Sequence, residues 1–196
     1  QGKNTVKDLW AYFAKADSTI RPNAIRMNFI TNHDENSWNG TEFERMGNSV
    51  PLWSAFCYVV PGMPMIYTGQ LSGNHHRLEF FEKDMIDINP EYAQADLYKQ
   101  LNDLRVNNKA LHSPEIGAPM VRIAADNEHI FACVRYAEGQ TNTVIAVMNM
   151  SGEEQTVTLD LTEYVGKYDC TCGKEIQLEA KQTSQLKPWE YKIFTK

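Results

Sequence analysis

The sequence predicts an α/β portion with parallel strands, followed by an all-β portion of antiparallel strands in a sandwich. Three observations carry this. Up to residue 112, helix-like and strand-like segments alternate. Beyond it, segment after segment alternates apolar and polar residues with a period of two. Between the two patterns stands Ser113-Pro114, suited to a boundary, so residues 1–112 form one part and residues 113–196 the other.

The elements follow in order. Residues 8–15 (DLWAYFAK) are amphipathic and helix-like. Residues 24–31 (AIRMNFIT) read as a short buried strand. Ser49 suits an N-cap and Pro51 a first helical turn, so VPLWSAFCYVV (50–60) opens as a helix, apolar nearly all round and therefore buried. Pro61 and Gly62 stop it. MPMIY (63–67) is a second short strand, ended by Thr68 and Gly69. A loop rich in His and acidic residues runs to Pro90, and residues 92–107 form a helix with Leu97, Leu101 and Leu104 on one face. The later strands are HIFACVRY, NTVIAVMNM, QTVTLDL, EIQLE and WEYKIFTK, separated by turns such as AEGQTN and NMSGEE. There is no internal repeat and no low-complexity segment.

Composition narrows the partners. Hydrophobic residues make up 42% and charged residues 22%, as in ordinary globular proteins. A formal net charge of -6 argues against a nucleic-acid or anionic-membrane partner. No apolar run approaches the roughly 20 residues of a membrane span, and the first residues resemble no signal peptide. Cys57 and Cys133 sit in apolar runs and read as core. Cys170 and Cys172 read as incidental, because no second Cys or His pair supports a zinc site. His75 and His76 are adjacent and so diverge on most backbones, which makes them a solvated loop rather than a metal pair. No metal ligand set is expected.

The chemistry is concentrated in NHDENSWNG (32–40). Asn32, His33, Asp34 and Glu35 stand at the exit of the first strand, where parallel α/β structures place their functional groups. Thr68-Gly69-Gln70 holds the same place after the second strand. Asp34 also suits a turn or N-cap. Trp38 suits either an exposed stacking platform or a buried loop anchor.

FITNHDENSW (29–38) resembles a conserved segment of the α-amylase family of glycoside hydrolases, family 13 of clan H. PGMPMIYTGQ (61–70) resembles the segment that follows it there. RLEFFEKD, the leucine-bearing helix and LKPWEY (186–191) are similar to the same family's tail. The resemblance implies the final βα units of a (β/α)8 TIM barrel, followed by a C-terminal antiparallel β-sandwich domain. It implies that Asp34 is the transition-state-stabilising carboxylate, which hydrogen-bonds the sugar hydroxyls at C2 and C3, and that His33 binds the same sugar. Asn32 and Trp38 join them as substrate-binding candidates. Hydrogen bonds to the 2-OH that strengthen in the transition state are worth several kcal/mol in retaining glycosidases.

Two departures shape the expectation. No segment resembles the family's nucleophile or general-acid motifs, and a retaining mechanism needs that pair of carboxylates about 5 Å apart. The chain is therefore expected to be the C-terminal portion of a retaining enzyme acting on an α-glucan or maltooligosaccharide, inactive alone. Leu71 stands where the family often has an acidic residue, which weakens any substrate role for Gln70. The alternative is a non-catalytic carbohydrate- or partner-binding relative on the same scaffold. No cofactor is expected in this chain. Calcium, which many family members bind, would be liganded by upstream segments. Two strands cannot close a barrel, so the open edge is a route to self-association. The sequence names no compartment, although a secreted or periplasmic parent would fit the resemblance.

Overall fold

The structure, a computed structural model, describes residues 4–21, 24–112, 117–136 and 142–196. The expected boundary at Ser113-Pro114 and most of the AEGQTN turn lie outside the described residues. Contacts divide the chain into two units. One is Arg26–Asn107; the other joins the described part of Gly2–Ile25 to the described part of Asn108–Lys196. Helices are few and most strand pairs are antiparallel.

The first unit contains the one parallel pair among the described strands, β1 (Met27–Asn28) against β2 (Met63–Pro64). Both are two residues long, shorter than the expected 24–31 and 63–67. Met27, Phe29 and Met63 are exposed rather than buried, because no further described strand flanks the pair. The link between the strands holds α2 (Glu42–Met46) and α3 (Val50–Val59). The apolar sequence of α3 buries most of the helix, Leu52, Ala55 and Val59 completely.

Ser49 precedes α3 as expected, but its side chain does not cap it. The residue already has helical angles in the turn Gly47–Ser49, so its hydroxyl turns back and donates to the Met46 carbonyl at 2.7 Å. The other end of α3 is closed by neighbours. Arg105, in α4 (Ala95–Asn107), donates to the Gly62 carbonyl at 2.8 Å, and Asn28 donates to the carbonyls of Cys57 and Pro61. Gly62 then passes within reach of β1 at a φ of 135°, where a Cβ would lie 2.6 Å from the Arg26 carbonyl oxygen. That close approach lets Met63 N–H donate to Arg26 at 2.7 Å.

The second unit opens with α1 (Val6–Thr19), capped by a reciprocal pair between Thr5 and Asp8. Its β-strands are β3 (Met120–Arg122), β4 (Ile130–Arg135), β5 (Val144–Asn149), β6 (Gln155–Asp160), β7 (Gly166–Cys170), β8 (Lys174–Leu178), β9 (Lys181–Leu186) and β10 (Tyr191–Thr195). Six of them make one antiparallel sheet in the order β3, β4, β5, β10, β7, β8, and β6 pairs with β9 alone. Val157, Leu159 and Leu186 from the β6–β9 ribbon share one core with Ala132, Val134, Ile145 and Val147 from the large sheet. The opposite face of β4 meets α1, where Trp10 stacks on Phe131 at 4.7 Å. β4 and β5 are thus covered on both faces, and every residue in them is buried.

Three expectations change in this unit. Cys170 and Cys172 are bonded to each other at the β7–β8 turn, so they are not incidental. Trp189 belongs to a turn and not to the final strand. Glu190 N–H closes that turn on the Lys187 carbonyl at 3.1 Å, with Trp189 at a φ of 58°. Strand β9 has no run of apolar residues and is not foreseen by hydrophobic patterning.

Candidate functional site

The stretch 32–40 leaves β1 as a helical turn that widens into a π-helix, Glu35–Asn39. Asn32 starts it, its side-chain oxygen accepting from the Glu35 N–H at 2.8 Å. Asn32 is therefore occupied by its own backbone. His33 and Asp34 project outward, their side chains 65% and 59% exposed, with Nε2 of His33 3.6 Å from a carboxylate oxygen of Asp34. The two groups expected to meet a sugar are thus adjacent, open to solvent and paired with each other.

Arg45 fixes this turn from behind. It donates to the carbonyls of Ile30 at 2.6 Å and Gly40 at 2.9 Å, and lies 3.2 Å from the Glu35 carboxylate. Glu35 is consequently a strut. Asn36, buried, fastens the turn to the later loop, accepting from Leu78 N–H at 2.8 Å and donating to the His76 carbonyl. Ser37 donates to the Leu78 carbonyl at 2.7 Å. Just before the turn, the Thr31 hydroxyl is buried with no partner among the described residues.

The loop so fastened supplies one wall of a cavity of about 200 Å³ lined by His33, Ser37, Tyr67, Glu79, Phe80 and Asp84 among others. His33 lines it; Asn32, Asp34 and Trp38 do not. Trp38 is 58% exposed, so it is no buried anchor, and its ring lies 5.1 Å from that of Phe80. Sequence reasoning passed over Tyr67, Phe80 and the cavity carboxylates, whose loop has no periodicity. The aromatic pair Phe80-Phe81 was its one visible signal.

The two loop histidines have separate structural tasks. His76 sits between Asp87, 2.9 Å from Nδ1, and Asp84, 3.5 Å from Nε2. The Asp87 hydrogen bond holds its imidazole above the ordinary pKa. His75 stacks on Tyr92 at 4.7 Å. Gln70 is buried, accepts from Tyr67 N–H and donates to the Tyr98 hydroxyl at 2.6 Å, so it ties the end of β2 to α4. Among the described residues no group of three or more His, Cys, Asp or Glu is placed to hold a metal ion. No described helix is long and apolar enough to cross a membrane.

No protein-family model matches the sequence, and no curated protein does. Solved structures do. A noncanonic maltogenic alpha-amylase, AmyB from Thermotoga neapolitana, superposes with a TM-score of 0.81 at 19% identity, covering 99% of this chain and 46% of that one. The chain shares its fold with part of that α-amylase. An alpha-amylase from Lactobacillus plantarum gives a TM-score of 0.78 at 19% identity, over 100% of this chain and 44% of that one. AmyP in complex with maltose gives 0.68 at 16% identity, over 94% and 43%. The chain spans less than half the length of these three structures.

Proposed function

We propose that the chain is the C-terminal portion of a retaining α-glucan-active glycoside hydrolase. In this reading Arg26–Asn107 supplies the last βα units of a (β/α)8 barrel, and the β-rich unit is its C-terminal domain. Asp34 accepts hydrogen bonds from the sugar hydroxyls and tightens them as positive charge develops on the ring. His33 orients the same ring, and Trp38 offers it an aromatic face. Asn32 contributes by shaping the turn, because its side chain already caps it.

The observation that carries this reading is the outward pairing of His33 with Asp34 at the exit of a parallel strand, beside a cavity. The fold likeness supports it, as do the maltose and maltotriose held by AmyP in its own structures. Nearby carboxylates are already engaged, Glu35 by Arg45 and both Asp84 and Asp87 by His76. No segment of the chain resembles the family's nucleophile or general-acid motifs, so in this reading the chain alone binds saccharide without cleaving it. Isothermal titration with maltotriose tests the binding. The chain should bind, and Asp34→Asn should weaken binding at least tenfold; equal affinity for both would sink the assignment.

A further inference from the structure

Beside the His33–Asp34 pair, Trp38 is joined by two aromatic side chains, Phe80 and Phe81, that the reading above leaves unexplained. Phe80 lies 5.8 Å from the His33 ring, 5.1 Å from Trp38 and 4.8 Å from Phe81, and Trp38 lies 6.3 Å from Phe81. Their exposures are 37% for Phe80, 58% for Trp38 and 81% for Phe81. Single exposed apolar residues are ordinary, but three in mutual contact keep a continuous apolar surface in water.

The surroundings say what covers it. Phe80 is shared with the cavity, whose other walls include His33, Glu79, Glu82 and Asp84. A purely apolar partner would desolvate the carboxylates of Glu79 and Glu82, at a cost. A cavity of about 200 Å³ is also below the roughly 300–1,000 Å³ of sites for larger ligands, so it takes one ring. The occupant needs an apolar face for the aromatics and hydroxyl donors for the carboxylates. A neutral sugar ring has both.

We propose that Phe80 and Phe81, with Trp38, form a stacking platform that holds a neutral sugar ring over the cavity while the cavity carboxylates accept its hydroxyls. This rests on the saccharide reading of the same site and makes the 78–82 loop a determinant of specificity. Asn36 and Ser37 hold that loop through the main chain of Leu78, so the platform is carried on the same support as Asp34.

Maltotriose titrated calorimetrically into the 196-residue chain tests the platform. The double variant Phe80→Ala/Phe81→Ala should bind about tenfold more weakly, as expected for losing aromatic stacking faces. Phe80→Leu/Phe81→Leu, which keeps apolar bulk without a flat face, should also lose affinity several-fold, with unchanged circular dichroism. Suppose both variants bind within twofold of the parent while Asp34→Asn is weakened: the platform is then wrong and the saccharide site stands. If the parent chain itself binds no maltotriose, both ideas fall.

Discussion

Arg45 donates to the carbonyl oxygen of Ile30 at 2.6 Å, and so joins α2 to the residue from which the Asn32–Asp34 turn departs. The same guanidinium holds Gly40 and Glu35, at the far side of the turn. Its planar fork can meet these separated acceptors together, which a lysine ammonium cannot. Arg45→Ala should cost about 2–3 kcal/mol in urea unfolding, since it strands a half-buried carboxylate and two carbonyls. Arg45→Lys should recover less than half. A change below about 0.5 kcal/mol for the alanine variant would show that the turn is held by other means.

Thr31 offers the opposite sign. Its hydroxyl is buried without a partner among the described residues, one position before Asn32. Thr31→Val keeps the shape and removes the desolvated group, so it should raise stability by about 1 kcal/mol. A lower Tm for the valine variant would mean that the hydroxyl has found a donor or acceptor after all.

Gly62 is needed for backbone reasons. A Cβ there would stand 2.6 Å from the Arg26 carbonyl oxygen and 2.7 Å from the Asn28 side-chain nitrogen, at a φ of 135°. Gly62→Ala should therefore push β1 from β2 and cost about 2 kcal/mol or more, with strain and the lost strand contact added together. Hydrogen exchange at Met63 N–H, which donates to Arg26, should quicken in the variant. Unchanged protection there would contradict this account of the turn.

The His76 clasp gives a pH signature. Its hydrogen bond to Asp87 and proximity to Asp84 raise the folded imidazole pKa, so its contribution is complete below the unfolded value of about 6.5. It is lost as pH rises through the raised folded value. Asp84 is held low first by the N–H groups of Glu79 and Met85, so its part is present above the unfolded carboxylate value and lost as pH falls through the lowered one. The loop should be most firmly held on the mildly acidic side of neutrality. His76→Gln should flatten the stability profile between pH 6 and 8, as followed by urea midpoints; an unchanged profile would remove His76 as its cause.

The N-H-D turn was legible because it is local: strand, breaker and titratable groups follow one another within nine residues, 32–40. The helix 50–59 was legible for the same reason, its apolar content leaving it no exposed face. The cavity was not legible, because its loop is tied to the turn through the main chain of Leu78, which donates to Asn36 and accepts from Ser37, and no periodicity announces those bonds. The polar segment KQTSQL becomes β9 by pairing along its length with β6, a tertiary effect that overrides its composition. Thr41-x-x-Glu44 was a readable capping box that hydrophobic patterning alone passes over. Trp189 at a positive φ defeats propensity altogether, since a tryptophan seldom adopts it.

The central claim is that Asp34 is one carboxylate of a catalytic set whose other members lie outside this chain. The most direct measurement is the sequence of the reading frame upstream of the codon for Gln1. The account predicts that the frame continues for at least the length of this chain and places an Asp and a Glu at the ends of two further buried strands. A frame opening near Gln1 would contradict the claim. A continued frame with neither position acidic would also contradict it, and would leave a non-catalytic saccharide-binding relative in its place.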